Sequence, residues 1–402
     1  MAGIFVLKVF AGICLCLIYT YYYTDRQSGD IYKYFYDGEV MYGALFTHPG
    51  HYFQMVFGIQ TDAGYLHGYF EKMSHWYKPN ETTFYNDNRT IIRFNALVRL
   101  FSLGSIWVHT VVMCFISFLG LTAVYKTLSG FLQDKKKELA AAIFLLPSVM
   151  FWGSGLLKEG ILLFAMGGLI YCFIKLAAQK FSLIYFFGFF FGVFLLCISK
   201  IYVLFALVPP MAAYWWVAHT NNQKAFLKYL VVFGVMTAGA FNLHYLFPDF
   251  DIARILARKQ QDFINMVRAS DAGSYFEIPK LDPNVSSIIK NTPIALFNMM
   301  VRPHLLESNS PFILLAAIEN ILLTGIIIFC IIFKKRKPGN KNLLFFCIGY
   351  VLILYSVIGL TTPVLGALVR YKAPGLPFLA LIFIIILDKQ KILHAFKWLN
   401  VN

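Results

Sequence analysis

Long runs of apolar residues constrain this chain more than any other feature of its sequence. Four of them are Ile4 to Tyr23, Ile106 to Tyr125, Ile161 to Leu176 and Pro311 to Phe333. A helix of roughly 20 such residues crosses the ~30 Å hydrocarbon core of a bilayer. The chain is 59% hydrophobic and only 14% charged, whereas soluble chains carry about 45–50% apolar and about 25% charged residues. The sequence therefore predicts a polytopic membrane protein.

The apolar pattern predicts one all-α domain over residues 1–402, a bundle of about ten transmembrane helices. The predicted spans are 3–23, 104–125, 138–153, 157–176, 182–198, 201–218, 227–247, 311–333, 342–360 and 366–387. Two long loops, 24–103 and 248–310, should lie on the outer face and carry short surface helices. The second begins with "FPDFDIARILARKQQDFINMVRA", whose apolar residues recur at helical spacing and indicate an amphipathic helix.

The basic residues are distributed unevenly along the chain, whose formal net charge is +15. If the N-terminus is cytoplasmic, the inner segments hold sixteen cations and three acids, and the two long loops together hold fourteen cations and fifteen acids. The positive-inside rule then places both termini in the cytoplasm. A basic band beside membrane ends is an orientation signal, so nucleic acid is not an expected partner. A bacterial inner membrane is the expected setting.

Several classes of site are disfavoured by the sequence. All seven cysteines fall inside predicted spans, which indicates neither a disulfide framework nor a thiolate metal site. No GxxxxGK[ST] phosphate loop is present, so the chain by itself is not expected to use ATP for transport.

Charged residues recur at the predicted outer ends of the spans, in short apolar settings. The stretch "PSVMFWGSGLLKEGILLF" places Lys158 and Glu159 at a tight turn. Interfacial charges that cap a helix start would explain that pair alone. However, outer-face cations oppose the positive-inside trend, and several more occur, which favours an anionic ligand such as a lipid phosphate. The predicted phosphate and donor-binding residues are Lys158, Glu159, Arg370, Arg302, Arg93, Lys200, Lys372 and His304.

Acidic residues follow the first span in "TDRQSGDIYKYFYDGEVMY". Asp30 is the preferred catalytic acid, and Asp37 is the second candidate. If this segment is helical, seven residues are close to two turns, which places both carboxylates on one face. The alternative is that Asp30 caps a helix and Asp37 is a solvated loop residue.

Three of these features together resemble a known family. "PSVMFWGSGLLKEG", an acid just after the first span, and "RYKAPGLPFL" near the end look like GT-C-type membrane glycosyltransferases of bacteria. The resemblance implies an inverting sugar transfer on the non-cytoplasmic face from a polyprenyl-phosphate-linked donor. It implies Asp30 as the general base and the Arg and Lys residues as ligands of the lipid phosphate. The acceptor would be a glycan, a lipid or a protein.

The sequence departs from one branch of that family and leaves alternatives open. Protein O-mannosyltransferases of similar architecture carry adjacent Asp-Glu acids in the first loop, whereas Ile31 follows Asp30 here. No cofactor is expected with certainty, and a divalent metal held by Asp30, Asp37 and Glu39 stays open. A lipid-linked glycan polymerase or ligase would use the same cations. A transporter or flippase would give more weight to Glu319, an acid inside a predicted span.

Overall fold

The fold was determined as a computed structural model that describes residues 1–22, 29–77, 85–220, 222–270, 274–308, 310–336 and 338–395. Within these ranges the regular structure is helical, and the chain forms no strand. Residues 24–28 and 78–84 of the predicted first loop, and 271–273 and 309 of the second, lie outside the described residues. The helices are α1 (Ala2–Tyr21), α2 (Asp30–Thr47), α3 (Pro49–Phe57), α4 (His67–Phe70), α5 (Asn88–Ser102), α6 (Ile106–Ser129), α7 (Lys136–Phe144), α8 (Pro147–Trp152), α9 (Lys158–Ala177), α10 (Leu183–Ser199), α11 (Ile201–Ala218), α12 (Ala225–Asn242), α13 (Ile252–Ser270), α14 (Val285–Val301), α15 (Pro311–Ile332), α16 (Lys341–Thr361), α17 (Leu365–Lys372), α18 (Leu376–Ile386) and α19 (Lys389–Ala395).

Seven helical segments in the described residues are long and apolar enough to cross a membrane. An eighth span is added if α17 and α18, which are bent by 58° relative to each other, are taken as one broken span. The all-helical, multi-pass character predicted from the sequence is therefore confirmed, whereas the count of about ten spans is not. The seven are Ala2–Tyr21, Ile106–Ser129, Lys158–Ala177, Ile201–Ala218, Ala225–Tyr245, Pro311–Ile332 and Lys341–Thr361.

The three remaining predicted spans differ from continuous long helices for local reasons. The span 138–153 is divided into α7 and α8 just before Pro147, whose ring restricts the preceding residue and removes an N–H donor. The span 182–198 is α10, a 17-residue helix. The span 366–387 breaks between α17 and α18, where the sequence is Ala373-Pro374-Gly375. Proline and glycine thus account for two of the three differences.

The chain is divided into two compact units. The first comprises Met1–Thr127, Val149–Leu176 and Lys180–Leu204, and the second comprises Leu128–Ser148, Ala177–Gln179 and Phe205–Asn402. The predicted catalytic acids lie in the first unit, together with Lys158, Glu159, Arg93 and Lys200. Arg302, His304, Arg370 and Lys372 lie in the second.

The core of the first unit is built largely from the predicted outer loop 24–103. Buried apolar residues of α2, α3 and α5 form one cluster with Leu15 of α1, Met113 of α6 and Leu157 at the start of α9. Trp76 is fully buried in this cluster and stacks on Phe70 with ring centroids 4.3 Å apart. The loop is therefore a packed helical layer that fixes the side chains on it.

Helices α6 and α9 of the first unit approach each other through glycine. A Cβ atom added to Gly167 would lie 2.0 Å from the carbonyl oxygen of Gly120, and nothing would lie within 4 Å of one added to Gly168. Small residues let membrane helices pack backbone against backbone, which maximises van der Waals contact.

We expect Gly167→Ala to destabilise the protein, because the methyl group would overlap backbone that cannot move independently of α6. Overpacking of this kind costs about 1–3 kcal/mol and occasionally more. Gly168→Ala is the matched control and should be neutral or slightly stabilising, since alanine is the better helix former by about 1 kcal/mol. Thermal unfolding in detergent measures both variants, and equal melting temperatures would contradict the packing described here.

The second unit contains the predicted amphipathic helix as α13. Its buried residues Ala253, Phe263 and Val267 recur on one face, and buried Gln260 donates hydrogen bonds to the carbonyls of Pro279 (3.1 Å) and Leu360 (2.8 Å). The apolar face of α13 therefore contributes to the core of this unit.

Candidate functional site

Lys158 begins α9 after a turn that is buried within the first unit. Residues 153–157 of the turn are buried and lie against the middle of α1, where a Cβ on Gly12 would be 2.7 Å from the carbonyl oxygen of Ser154. From α6, the Ser117 hydroxyl donates to the Gly153 carbonyl at 2.6 Å, and the Cys114 thiol donates to the Ser154 carbonyl at 3.2 Å. The turn is thus fixed from two sides, and it positions Lys158.

Lys158 and Lys200 meet on one carboxylate oxygen. Nζ of Lys158 lies 2.9 Å from Oδ2 of Asp87, and Nζ of Lys200 lies 2.8 Å from the same atom. The two lysines are only 6% and 7% exposed. A buried cation needs a paired anion, because desolvation of an isolated charge is costly. Asp87 supplies that anion for two lysines, one at the start of α9 and one between α10 and α11.

Asp87 and Asn88 stand at the beginning of α5, in the run "YNDNR". Oδ1 of Asn88 accepts hydrogen bonds from Lys158 Nζ at 2.8 Å and from the Tyr34 hydroxyl at 3.1 Å. Nδ2 of Asn88 donates to the carbonyl of His75 at 3.3 Å. Asn88 therefore connects the lysine pair to α2 and to the segment around His75.

Asp30 is the first residue of α2, after Gly29 at the N-cap position. Its Oδ1 lies 3.8 Å from Nε2 of His75, and its side chain is 38% exposed. The His75 ring packs edge-on against Tyr34, with centroids 5.3 Å apart. Asp30 is accessible, and His75, Tyr34 and Asn88 connect it by contacts to the lysine pair.

Asp37 faces the same segment but is engaged differently. Its side chain is 1% exposed. Its two carboxylate oxygens accept hydrogen bonds from the backbone N–H groups of Ser74 (2.7 Å) and His75 (2.8 Å). Burial raises the pKa of Asp37, and these hydrogen bonds oppose that shift. Asp37 fixes the segment that carries His75, and α2 presents both acids to it, as the helical spacing predicts.

Arg93 is held by the first unit itself. Its Nε donates to the carbonyl of Met55 at 2.9 Å, its Nη1 donates to the Tyr85 hydroxyl at 2.9 Å, and its guanidinium lies 5.5 Å from the Trp76 ring centroid. Burial lowers the pKa of Arg93. These contacts connect α5 to α3, which gives Arg93 a role in holding the loop layer together.

Three predicted donor-binding residues of the second unit, Lys372, Arg302 and His304, are connected by contacts. Lys372 is 1% exposed and donates to Oδ1 of Asn320, whose Nδ2 donates to the Pro303 carbonyl at 2.9 Å. On either side of Pro303, Arg302 and His304 lie 2.5 Å and 3.4 Å from Oε1 of Glu307. Arg370 is half-buried on the same helix as Lys372.

Glu319 has a local structural partner in the second unit. Its carboxylate accepts hydrogen bonds from the backbone N–H of Ser148 at 3.2 Å and from the Ser148 hydroxyl. Glu319 thereby holds the first turn of α8, next to the break at Pro147.

Asp87, Asn88, His75 and Tyr34 are not among the site residues predicted from the sequence. The run "YNDNR" carries an available signal, since Asn and Asp before an apolar helix mark an N-terminus. In the described part of the chain, no group of three or more His, Cys, Asp or Glu side chains is placed to hold a metal ion.

Asp30, Lys158 and Lys200 carry the reactive and charged groups of this site. Asp30 offers an accessible carboxylate, and the lysine pair offers two buried ammonium groups in the same compact unit. Comparisons with protein-family profiles, with curated proteins and with solved structures find no match for this chain.

Proposed function

We propose that this protein is a membrane glycosyltransferase that moves a sugar from a polyprenyl-phosphate-linked donor to an acceptor hydroxyl. The observation that carries the proposal is the convergence of Lys158 and Lys200 on one carboxylate oxygen, inside the unit that also holds Asp30. Lysine ammonium groups bind phosphate as point charges, and buried ones act with little screening by water. The surrounding apolar helices suit a donor whose tail lies in a bilayer.

In the proposed reaction the acceptor oxygen attacks the anomeric carbon of the donor directly. The proton of the acceptor hydroxyl passes to the carboxylate of Asp30, which acts as general base. The bond between the anomeric carbon and the phosphate oxygen breaks, and its electron pair stays on the phosphate. The leaving group gains a second negative charge, which Lys158 and Lys200 stabilise. Direct attack inverts the configuration of the sugar.

The remaining parts of the proposal follow from the sequence. Both termini lie in the cytoplasm of a bacterial inner membrane, and the reaction takes place on the outer face. The donor-binding role of Arg302, His304, Arg370 and Lys372 of the second unit stays a prediction from the sequence that the steps above do not use, and Glu159 keeps its place beside Lys158. Neither a metal nor another cofactor is required for the steps above.

Purified protein in lipid nanodiscs should transfer a radiolabelled sugar from polyprenyl-phosphate donors to acceptors extracted from a bacterial envelope. The expected product is an acceptor that carries a single added sugar. Growth of a long glycan chain would favour a polymerase or ligase instead. In sealed proteoliposomes, movement of the donor across the membrane driven by a pH gradient, without a new glycosidic bond, would favour a transporter.

A further inference from the structure

The position proposed for the donor phosphate already holds an anion, the carboxylate of Asp87. Both ammonium groups lie within 2.9 Å of the same oxygen, Oδ2. Two donors on a single oxygen match what one phosphate oxygen would receive. A phosphate can take this place only if the carboxylate moves away from it.

The charges of these three groups decide which phosphate can make that exchange. Lys158 and Lys200 contribute two positive charges, and Asp87 cancels one of them. A phosphodiester carries one negative charge, so replacing Asp87 by a diester leaves the local charge unchanged. A phosphate monoester carries close to two negative charges at about pH 8, well above its second pKa of about 6, so the same exchange neutralises the site.

If a ligand displaces the Asp87 side chain from the lysines, a second favourable position is available to it at the N-terminus of α5. Asp87 occupies the N-cap position of α5, a helix of 15 residues, yet its side chain makes no capping hydrogen bond because it is directed to the lysines. Aspartate is among the preferred N-cap residues, and the N-terminal end of a helix dipole stabilises a carboxylate. A displaced Asp87 would therefore remain in a favourable electrostatic environment at the start of α5.

We propose that Asp87 is an internal counter-anion that a phosphate monoester displaces from Lys158 and Lys200, and that the lysine pair thereby selects monoesters over phosphodiesters. This inference rests on the proposed function for its meaning in a reaction. The sugar-linked donor is a diester, and the lipid phosphate that leaves is a monoester. The exchange would then favour the state in which the second charge has developed, as catalysis requires.

Two synthetic ligands test the exchange without any sugar transfer. Farnesyl phosphate is the monoester, and its methyl ester, farnesyl methyl phosphate, is the diester with the same tail. Their dissociation constants are measured by calorimetry at about pH 8, where the monoester is a dianion, with farnesol as the tail control. We expect wild-type protein to bind the monoester at least about tenfold more tightly than the diester. This factor corresponds to a small part of the Coulomb energy that one more unit charge gains at this distance from the lysines.

The variant Asp87→Asn removes the competing carboxylate. We expect it to bind both the monoester and the diester more tightly than wild type, because neither ligand then has to displace an anion from the two lysines. Asp251→Asn, which removes the partner of Arg254 in the second unit, is the control and should leave both affinities unchanged.

The wild-type comparison needs no folded variant, so it decides the proposal even if Asp87→Asn fails to fold. Equal affinities of wild type for the two ligands would overturn it, and so would affinities of a folded Asp87→Asn protein that equal those of wild type. The proposed function is tested separately. It fails if no sugar is transferred, even when the binding results are those expected here.

Discussion

Replacing Asp30 by asparagine is expected to lower the rate of sugar transfer by about 10²–10⁴-fold, the usual contribution of a positioned general base. Asparagine keeps the size of the side chain but cannot accept the proton of the acceptor hydroxyl. Because Asp30 is partly exposed and lies 3.8 Å from Nε2 of His75, the folded structure should tolerate the change. Initial rates with a labelled polyprenyl-phosphate sugar, at saturating donor, measure the effect.

Two other acids of α2 provide the controls for this experiment. Glu39 is 52% exposed and pairs with Arg99 at 2.7 Å, so Glu39→Gln should transfer sugar at close to the wild-type rate. Asp37→Asn should instead lose stability, by about 1–3 kcal/mol, because its amide cannot accept from both Ser74 and His75 N–H groups. A transfer rate for Asp30→Asn equal to that of Glu39→Gln would remove Asp30 from the base role.

Lys158→Gln is expected to lower the rate of transfer by about 10²–10³-fold, the cost of losing one preorganised charge from a transition state. The variant leaves Asp87 paired with Lys200, so no buried charge is orphaned and the protein should fold. Lys200→Gln should act in the same direction. Because the two lysines share one partner, the effects of the two substitutions should not add.

Lys180→Gln is the matched control, since Lys180 is an exposed lysine of the same unit. The fraction of folded protein is measured by size-exclusion chromatography and thermal unfolding beside each rate. If Lys158 only holds Asp87 in place, the rate should fall no further than the folded fraction does. That result would remove the lysine pair from phosphate stabilisation.

The sequence predicts the helices of this fold better than their contacts. Uninterrupted apolar runs such as Pro311 to Phe333 identify a spanning helix because no other structure satisfies the backbone in a bilayer. The runs that contain Pro147 or Pro374-Gly375 were also predicted as continuous spans. In the structure each of these runs is divided into two helices, although its mean hydropathy is high. Mean hydropathy is averaged over a window of residues, so it does not register a single proline, which interrupts a helix at one position.

The candidate site was predictable in part. The charge in an apolar setting identified Lys158 and Lys200, and helical spacing brought Asp30 and Asp37 to one face. Asp87 could not be assigned to the lysines, because it lies 71 and 113 positions before them and only tertiary packing brings them together. Lys372 was expected at the membrane–water interface. It is instead buried, and Asn320 on another helix accepts its hydrogen bond.

The stereochemistry of a single turnover tests the central claim most directly. Donor labelled with ¹³C at the anomeric carbon is mixed with excess enzyme and acceptor, and the product is examined by NMR. Direct attack aided by Asp30 predicts a glycosidic product of inverted configuration, released together with an equal amount of polyprenyl monophosphate. Retention of configuration, or consumption of donor without any glycosidic product, would contradict it.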